Sequence, residues 1–252
     1  MIRLDSNNTK LNGRVQLESS KSISNRILII RALARQDFKI NNLSSADDTT
    51  LMRKIIKNYK EQNEIDCHHA GTTLRFLTAF LCTNKGEWKL KGSDRMHQRP
   101  IGPLVDSLRE LGANIEYLEK ENHPPLLIKG KQITGRKVDI SGDISSQYIS
   151  ALLMISPLLK NGLIINITTN ILSRPYIKMT LEIMYQMGIK YKWEESSIEI
   201  KNQKYKCTNY LVENDWSAAS FWYSFVALSN YGKIEVPLLF KYSIQGLSLI
   251  HI

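Results

Sequence analysis

Four times in this chain a short polar segment opens an apolar helix, and that recurrence limits the fold more than any other feature. Ser19-Ser20-Lys21-Ser22 leads into Ile23, Ile27, Leu28, Ile30 and Leu33 at helical spacing. His69-Ala70-Gly71-Thr72-Thr73 leads into Leu74, Phe76 and Leu77. Ser145-Ser146-Gln147 leads into Tyr148, Ile149, Leu152 and Leu153, and Asp215 opens a run through Trp216, Trp222 and Tyr223. A second helix family begins with Arg-Pro: Arg99-Pro100-Ile101 runs toward Gly112, and Arg174-Pro175-Tyr176 runs toward Gly188. Proline just inside a helix and glycine just past it is the ordinary asymmetry of helix ends. Recurrence at roughly 50–75 residues predicts an internally repeated architecture.

Short alternating runs between these helices read as strands. They fall at residues 14–18, 38–43, 64–68, 87–92, 114–118, 126–129, 137–140, 163–168, 189–193, 198–201, 210–212 and 233–236. Residues 1–13 are polar and partly strand-like, and Asp47-Asp48 caps a helix reaching about Tyr59. Residues 93–98 read as a basic loop. The fold class is α/β (α+β). Paired strands between helices argue against an all-parallel sheet.

The helix openings also carry chemistry. A helix start presents free backbone N–H groups and a positive dipole end, and Lys21 and Arg26 add charge there, so it attracts anions. Arg offers a fork to a phosphate or carboxylate, and Lys a point charge. Gly71 lets backbone N–H groups approach a ligand closely. Arg75 reads as an anion ligand or as the partner of an internal carboxylate, Asp47 or Asp48. Arg95 and Arg99 flank the basic loop. Ser145, Ser146 and Gln147 can donate to oxyanions or simply cap their helix. His68 and His69 point to opposite faces of an extended chain, which argues against a shared metal. Trp216, Trp222 and Tyr223 read as core.

With 252 residues, the chain has room for one large domain or two. Its formal charge of +10 favours acidic partners. A nucleic-acid-binding module would interleave its cations with stacking aromatics, whereas these cations punctuate helix starts. Cys67, Cys82 and Cys207 form no C-x-x-C pair, which fits a reducing, cytoplasmic setting. The N-terminus lacks a signal-peptide core. The apolar run at 148–159 is too short to span a bilayer.

Taken in order, six segments resemble the 5-enolpyruvylshikimate-3-phosphate synthase family, the 3-phosphoshikimate 1-carboxyvinyltransferases. They are Lys21-Ser22-Ile23-Ser24-Asn25-Arg26, Ala70-Gly71-Thr72 with Arg75, Asp94-Arg95-Met96-His97-Gln98-Arg99-Pro100-Ile101, Ser145-Ser146-Gln147, Ser173-Arg174-Pro175-Tyr176 and Glu213-Asn214-Asp215. The resemblance implies two domains of three βαβαββ repeats each, closing on substrates like jaws. Residues 19–213 would be the complete second domain; residues 1–18 and 214–252 would be part of the first. The implied reaction moves the enolpyruvyl group of phosphoenolpyruvate to the 5-hydroxyl of shikimate 3-phosphate, with no metal or organic cofactor. By residue match, Lys21, Ser22, Arg26, Ser145, Ser146, Gln147, Ser173 and Tyr176 would hold shikimate 3-phosphate. Lys21, Gly71, Arg99 and Gln147 would contact phosphoenolpyruvate, and Lys21 would be catalytic. The implied partners are small anions, with no nucleic acid or membrane, and the full-length protein would be a monomer.

The chain departs from the family at His69, where Asn is common, and at Phe76, where Pro is common. After Gln245-Gly246 the pattern breaks, which implies C-terminal truncation: the family's catalytic carboxylates would lie beyond residue 252, and the chain as written would be inactive. The related transferase acting on UDP-N-acetylglucosamine is the alternative, but it carries a reactive Cys in the loop matching residues 93–99, and this loop has none.

Overall fold

A computed structural model of the chain describes residues 10–249. The chain begins with β1 (Lys10–Arg14), α1 (Lys21–Ala34), β2 (Ile40–Asn41) and α2 (Asp47–Asn58). Next come β3 (Glu64–Asp66), α3 (Gly71–Cys82), β4 (Gly86–Lys91), the one-turn α4 (Asp94–His97), α5 (Gly102–Glu110), β5 (Asn114–Tyr117) and β6 (Leu126–Gly130). Then β7 (Lys137–Ile140), α6 (Ser146–Ile155), β8 (Leu163–Ile167), α7 (Arg174–Gln186), β9 (Lys192–Glu194) and β10 (Ser197–Ile200) follow. The chain continues through β11 (Tyr210–Leu211), α8 (Trp216–Leu228) and β12 (Tyr231–Glu235).

The repeat is explicit in the sheets. One has the order β3-β4-β6-β5 and the other β7-β8-β10-β9. In each, the first pair is parallel and the other two are antiparallel. A parallel pair needs a crossover, and α3 and α6 supply it. These are two βαβαββ units. A third, shorter set comprises α1, β2 and α2, with β11 laid parallel to β2. β1 pairs in parallel with β12.

Three helices form the centre. α1 is buried without a break from Ile23 to Ile30, α3 from Thr73 to Cys82 and α6 from Tyr148 to Ile155. A helix that is apolar all round belongs inside. α2 instead buries a stripe, Thr49, Met52 and Ile55, and β8 buries alternate residues, Leu163, Ile165 and Ile167. The buried residues of the core cluster run from Ile23 to Val212. No helix among the described residues is long and apolar enough to cross a membrane.

Several boundaries differ from the sequence expectation. The first strand is Lys10–Arg14 rather than 14–18, because pairing with β12 ends at Val15 N–H to Glu235 O. Beyond it the chain changes partner: Ser20 donates to the Glu213 carbonyl, and Asp215 donates to that of Glu18. The strand expected at 189–193 is Lys192–Glu194, because the Gln203 side chain bonds both backbone groups of Lys190. The basic loop contains α4, which buries Met96. The Arg99-Pro100 helix starts only at Gly102, because Pro100 O accepts from Tyr148 Oη and Ile101 N donates to Asn122 O. In α8 only Trp216 and Ala219 are buried; Trp222 is half-buried and Tyr223 is exposed, so neither is core. Helical spacing gathers apolar side chains on one face but does not say what covers it. The expectation for residues 1–9 lies outside the described residues.

Glu213, where the chain leaves the core, is 5% exposed and accepts a hydrogen bond from Ser243 Oγ. Burial raises its carboxyl above the usual value, while Ser243 and Gln245 pull it back. A raised folded-state value means that ionisation costs stability. That cost is absent below the unfolded value and complete above the folded one. Glu213→Gln should therefore raise the thermal midpoint at pH 7, and the gain should shrink as the pH falls toward 4.5. Thermal melts of both proteins across that range check it, and an equal difference at both ends would refute it.

Candidate functional site

Side chains from the first two turns of the three buried helices meet one another. Arg26 of α1 donates to Ser150 Oγ of α6 at 3.2 Å and to Thr180 Oγ1 of α7 at 2.7 Å. Arg75 of α3 donates to Gln147 Oε1 of α6 at 2.6 Å. Ser145 caps α6, its Oγ accepting from Gln147 N at 3.3 Å. The free N–H groups and positive dipole ends of α1, α3 and α6 are therefore gathered together.

Arg26 is 2% exposed. Its remaining hydrogen bonds go to the backbone carbonyls of Ser22 and Tyr176. The guanidinium lies over Phe76 and Tyr176, 5.4 and 5.9 Å from the ring centroids. None of these partners is a carboxylate. Burial lowers Arg26 from 12.5 to about 10, because the charged form has lost its water. The sequence reading did not identify Ser150 and Thr180, the groups that hold it. Their signal was present: each is a hydroxyl on the buried side of an otherwise apolar helix, where a polar group needs a partner.

Ser22 and Tyr176 line one cavity of about 270 Å³, together with Pro175, Met179, Asp215 and Gln245. Ser173 sits at the start of α7, half-buried. Ser145 and Gln147 are half-buried and Ser146 is buried at the α6 opening. Lys21 is exposed and pairs with Asp48 at 3.3 Å. Thr73 of α3 donates to the Asp48 carbonyl, which ties that pair to the α3 opening.

At Gly71 the issue is space. A Cβ there would lie 2.6 Å from Arg99 Nη1 and 3.2 Å from Arg75 Nη1. Arg99 is exposed and free to swing, whereas Arg75 is buried and held. Arg75 does not pair with Asp47 or Asp48; its partner is Gln147, and its guanidinium lies over Tyr148, 5.4 Å from the ring centroid. The two adjacent histidines take separate partners. His68 bonds Asp66 and His69 Nδ1 meets Ser93 Oγ at 2.8 Å.

Two βαβαββ units around buried helices, with cations and small hydroxyl residues near the helix openings, define a repeated α/β protein. The chain belongs to the EPSP synthase (3-phosphoshikimate 1-carboxyvinyltransferase) family, whose profile matches residues 6–66 and 58–252. It is 50% identical over 240 residues to the 3-phosphoshikimate 1-carboxyvinyltransferase of Bacteroides fragilis (strain YCH46), covering 94% of this chain and 58% of that one. It is 39% identical over 265 residues to the same-named protein of Aliivibrio fischeri (strain ATCC 700601 / ES114), covering 94% of this chain and 62% of that one. The solved EPSP synthase of Acinetobacter baumannii superposes with a TM-score of 0.80 at 19% identity, over 92% of this chain and 57% of that one, which bears on the fold alone. The chain thus spans 58–62% of the length of these curated relatives.

Proposed function

We propose that this chain carries the substrate-anchoring part of an enzyme that transfers the enolpyruvyl group of phosphoenolpyruvate to the 5-hydroxyl of shikimate 3-phosphate, releasing phosphate. Residues 19–213 form its substrate domain, and residues 1–18 with 214–252 belong to a first domain. Shikimate 3-phosphate takes Lys21, Ser22, Arg26, Ser145, Ser146, Gln147, Ser173 and Tyr176. Phosphoenolpyruvate takes Lys21, Gly71, Arg99 and Gln147. Lys21 stands where both anions meet and steadies the charge that builds as the new C–O bond forms and the phosphate leaves. The free cysteines Cys67, Cys82 and Cys207 suit a reducing, cytoplasmic compartment.

The observation that carries this reading is the buried Arg26, a cation bonded to neutral oxygens only. A charge kept in such a place calls for an anion. Calorimetric titration of the 252-residue chain should detect shikimate 3-phosphate binding and no binding of UDP-N-acetylglucosamine. Lys21→Ala should weaken the former by roughly tenfold, the value of a hydrogen bond to a charged group. Binding of the nucleotide sugar in place of the shikimate ester would overturn the assignment.

A further inference from the structure

We infer that Arg75 is a positioning residue that fixes the Gln147 amide with its oxygen turned inward and its NH2 group turned toward the bound anions. This rests on the substrate reading above. A glutamine amide offers an acceptor oxygen on one side and two donor hydrogens on the other. Only the NH2 side can bind an anion, and the oxygen side repels it. A guanidinium has nothing but donors, so it selects the oxygen. Arg75 Nη1 meets Gln147 Oε1 at 2.6 Å.

Arg75 is itself held. It is 6% exposed and lies over the Tyr148 ring. Tyr148 is buried, and its Oη donates to Pro100 O at 2.5 Å, so the platform does not move. Gly71 leaves room beside Arg75 Nη1, which an added Cβ would approach to 3.2 Å. The backbone of Gln147 is anchored by the Ser145 cap. The exposed Arg99 is the group placed to touch an anion directly, and Arg75 acts one residue behind.

A double-mutant cycle with Arg75→Met and Gln147→Ala tests this, read as shikimate 3-phosphate affinity of the whole chain. Arg75→Met should weaken binding roughly tenfold. In the Gln147→Ala background the same change should alter affinity by less than about twofold. Full, additive losses would mean that Arg75 binds the ligand itself, overturning the inference. Gln147→Glu gives Arg75 an oxygen partner while removing the outward NH2. It should keep the thermal midpoint yet lose at least as much affinity as Arg75→Met; retained affinity would count against the inference. Side-chain amide NMR signals of Gln147, recorded without ligand, should be sharp in the wild type and broadened or moved in Arg75→Met. Unchanged signals would refute the link. If the wild type bound no shikimate 3-phosphate, the substrate reading would fall, and the amide signals would still decide the Arg75–Gln147 link.

Discussion

Arg26→Met should weaken shikimate 3-phosphate binding by roughly 10- to 100-fold while leaving the thermal midpoint of the ligand-free chain unchanged or higher. The two effects have different origins. Burial has lowered Arg26 to about 10, so holding it charged in the empty site costs roughly 3 kcal/mol. Methionine fills similar space beside Phe76 and Tyr176 without that cost. The polar groups left behind keep partners among themselves: Thr180 Oγ1 can give its one proton to the Tyr176 carbonyl at 2.9 Å while accepting from the Ser150 hydroxyl at 2.8 Å. Removing one member of a buried ion pair is costly because it strands the other charge, but the hydrogen-bond partners of Arg26 are neutral oxygens, so Arg26→Met strands no carboxylate. The affinity, by contrast, loses a charge-assisted interaction of about 1.5–3 kcal/mol. Thermal melts and calorimetry on the same two proteins decide the matter. Unchanged affinity would remove Arg26 from the binding site. A large drop in midpoint would make it a structural residue first.

Gly130→Ala should destabilise the fold by about 3 kcal/mol, or roughly 10 °C in thermal midpoint. Gly130 closes β6 opposite Gly86, where the strand passes the end of α3. A Cβ there would run into the backbone carbonyls of Asn84 and Leu81. Neither carbonyl is free to give way. Leu81 O accepts from Asn84 N, and Asn84 Nδ2 is tied to Phe80 O at 2.7 Å. Next along, Lys131 N donates to Cys82 O. The matching control is Gly13→Ala, where nothing lies within 4 Å of the added methyl. It should leave the midpoint within about 0.5 kcal/mol of wild type. Equal midpoints for all three proteins would show that β6 and α3 are not packed as described.

The helix openings were legible because each is written in neighbouring residues. Ser145 and Asp215 cap their own helices with bonds to amides two or three residues away. The spacing of Ile23, Ile27 and Ile30 is enough to mark an apolar helix. From these openings follow the internal repeat, the mixed fold class and the anion-attracting ends, since dipole and charge are local properties of a helix start. Beyond local reach, sequence reasoning fell short in specific ways. Arg75 reads as an anion ligand or as the partner of Asp47 or Asp48; of these, the carboxylate pairing is absent, and Arg75 bonds Gln147, 72 residues on. Arg26 was legible as a cation near a helix start, but not the Ser150 and Thr180 hydroxyls that hold its guanidinium, 124 and 154 residues away. Strand edges moved wherever a partner changed, as at Arg14 and Lys192. Trp222 and Tyr223 had the spacing of core residues and are not core. A short stretch of chain sets its own backbone preference. Only the meeting of distant elements sets what a side chain touches, because burial and hydrogen-bond partners belong to the pair that meets.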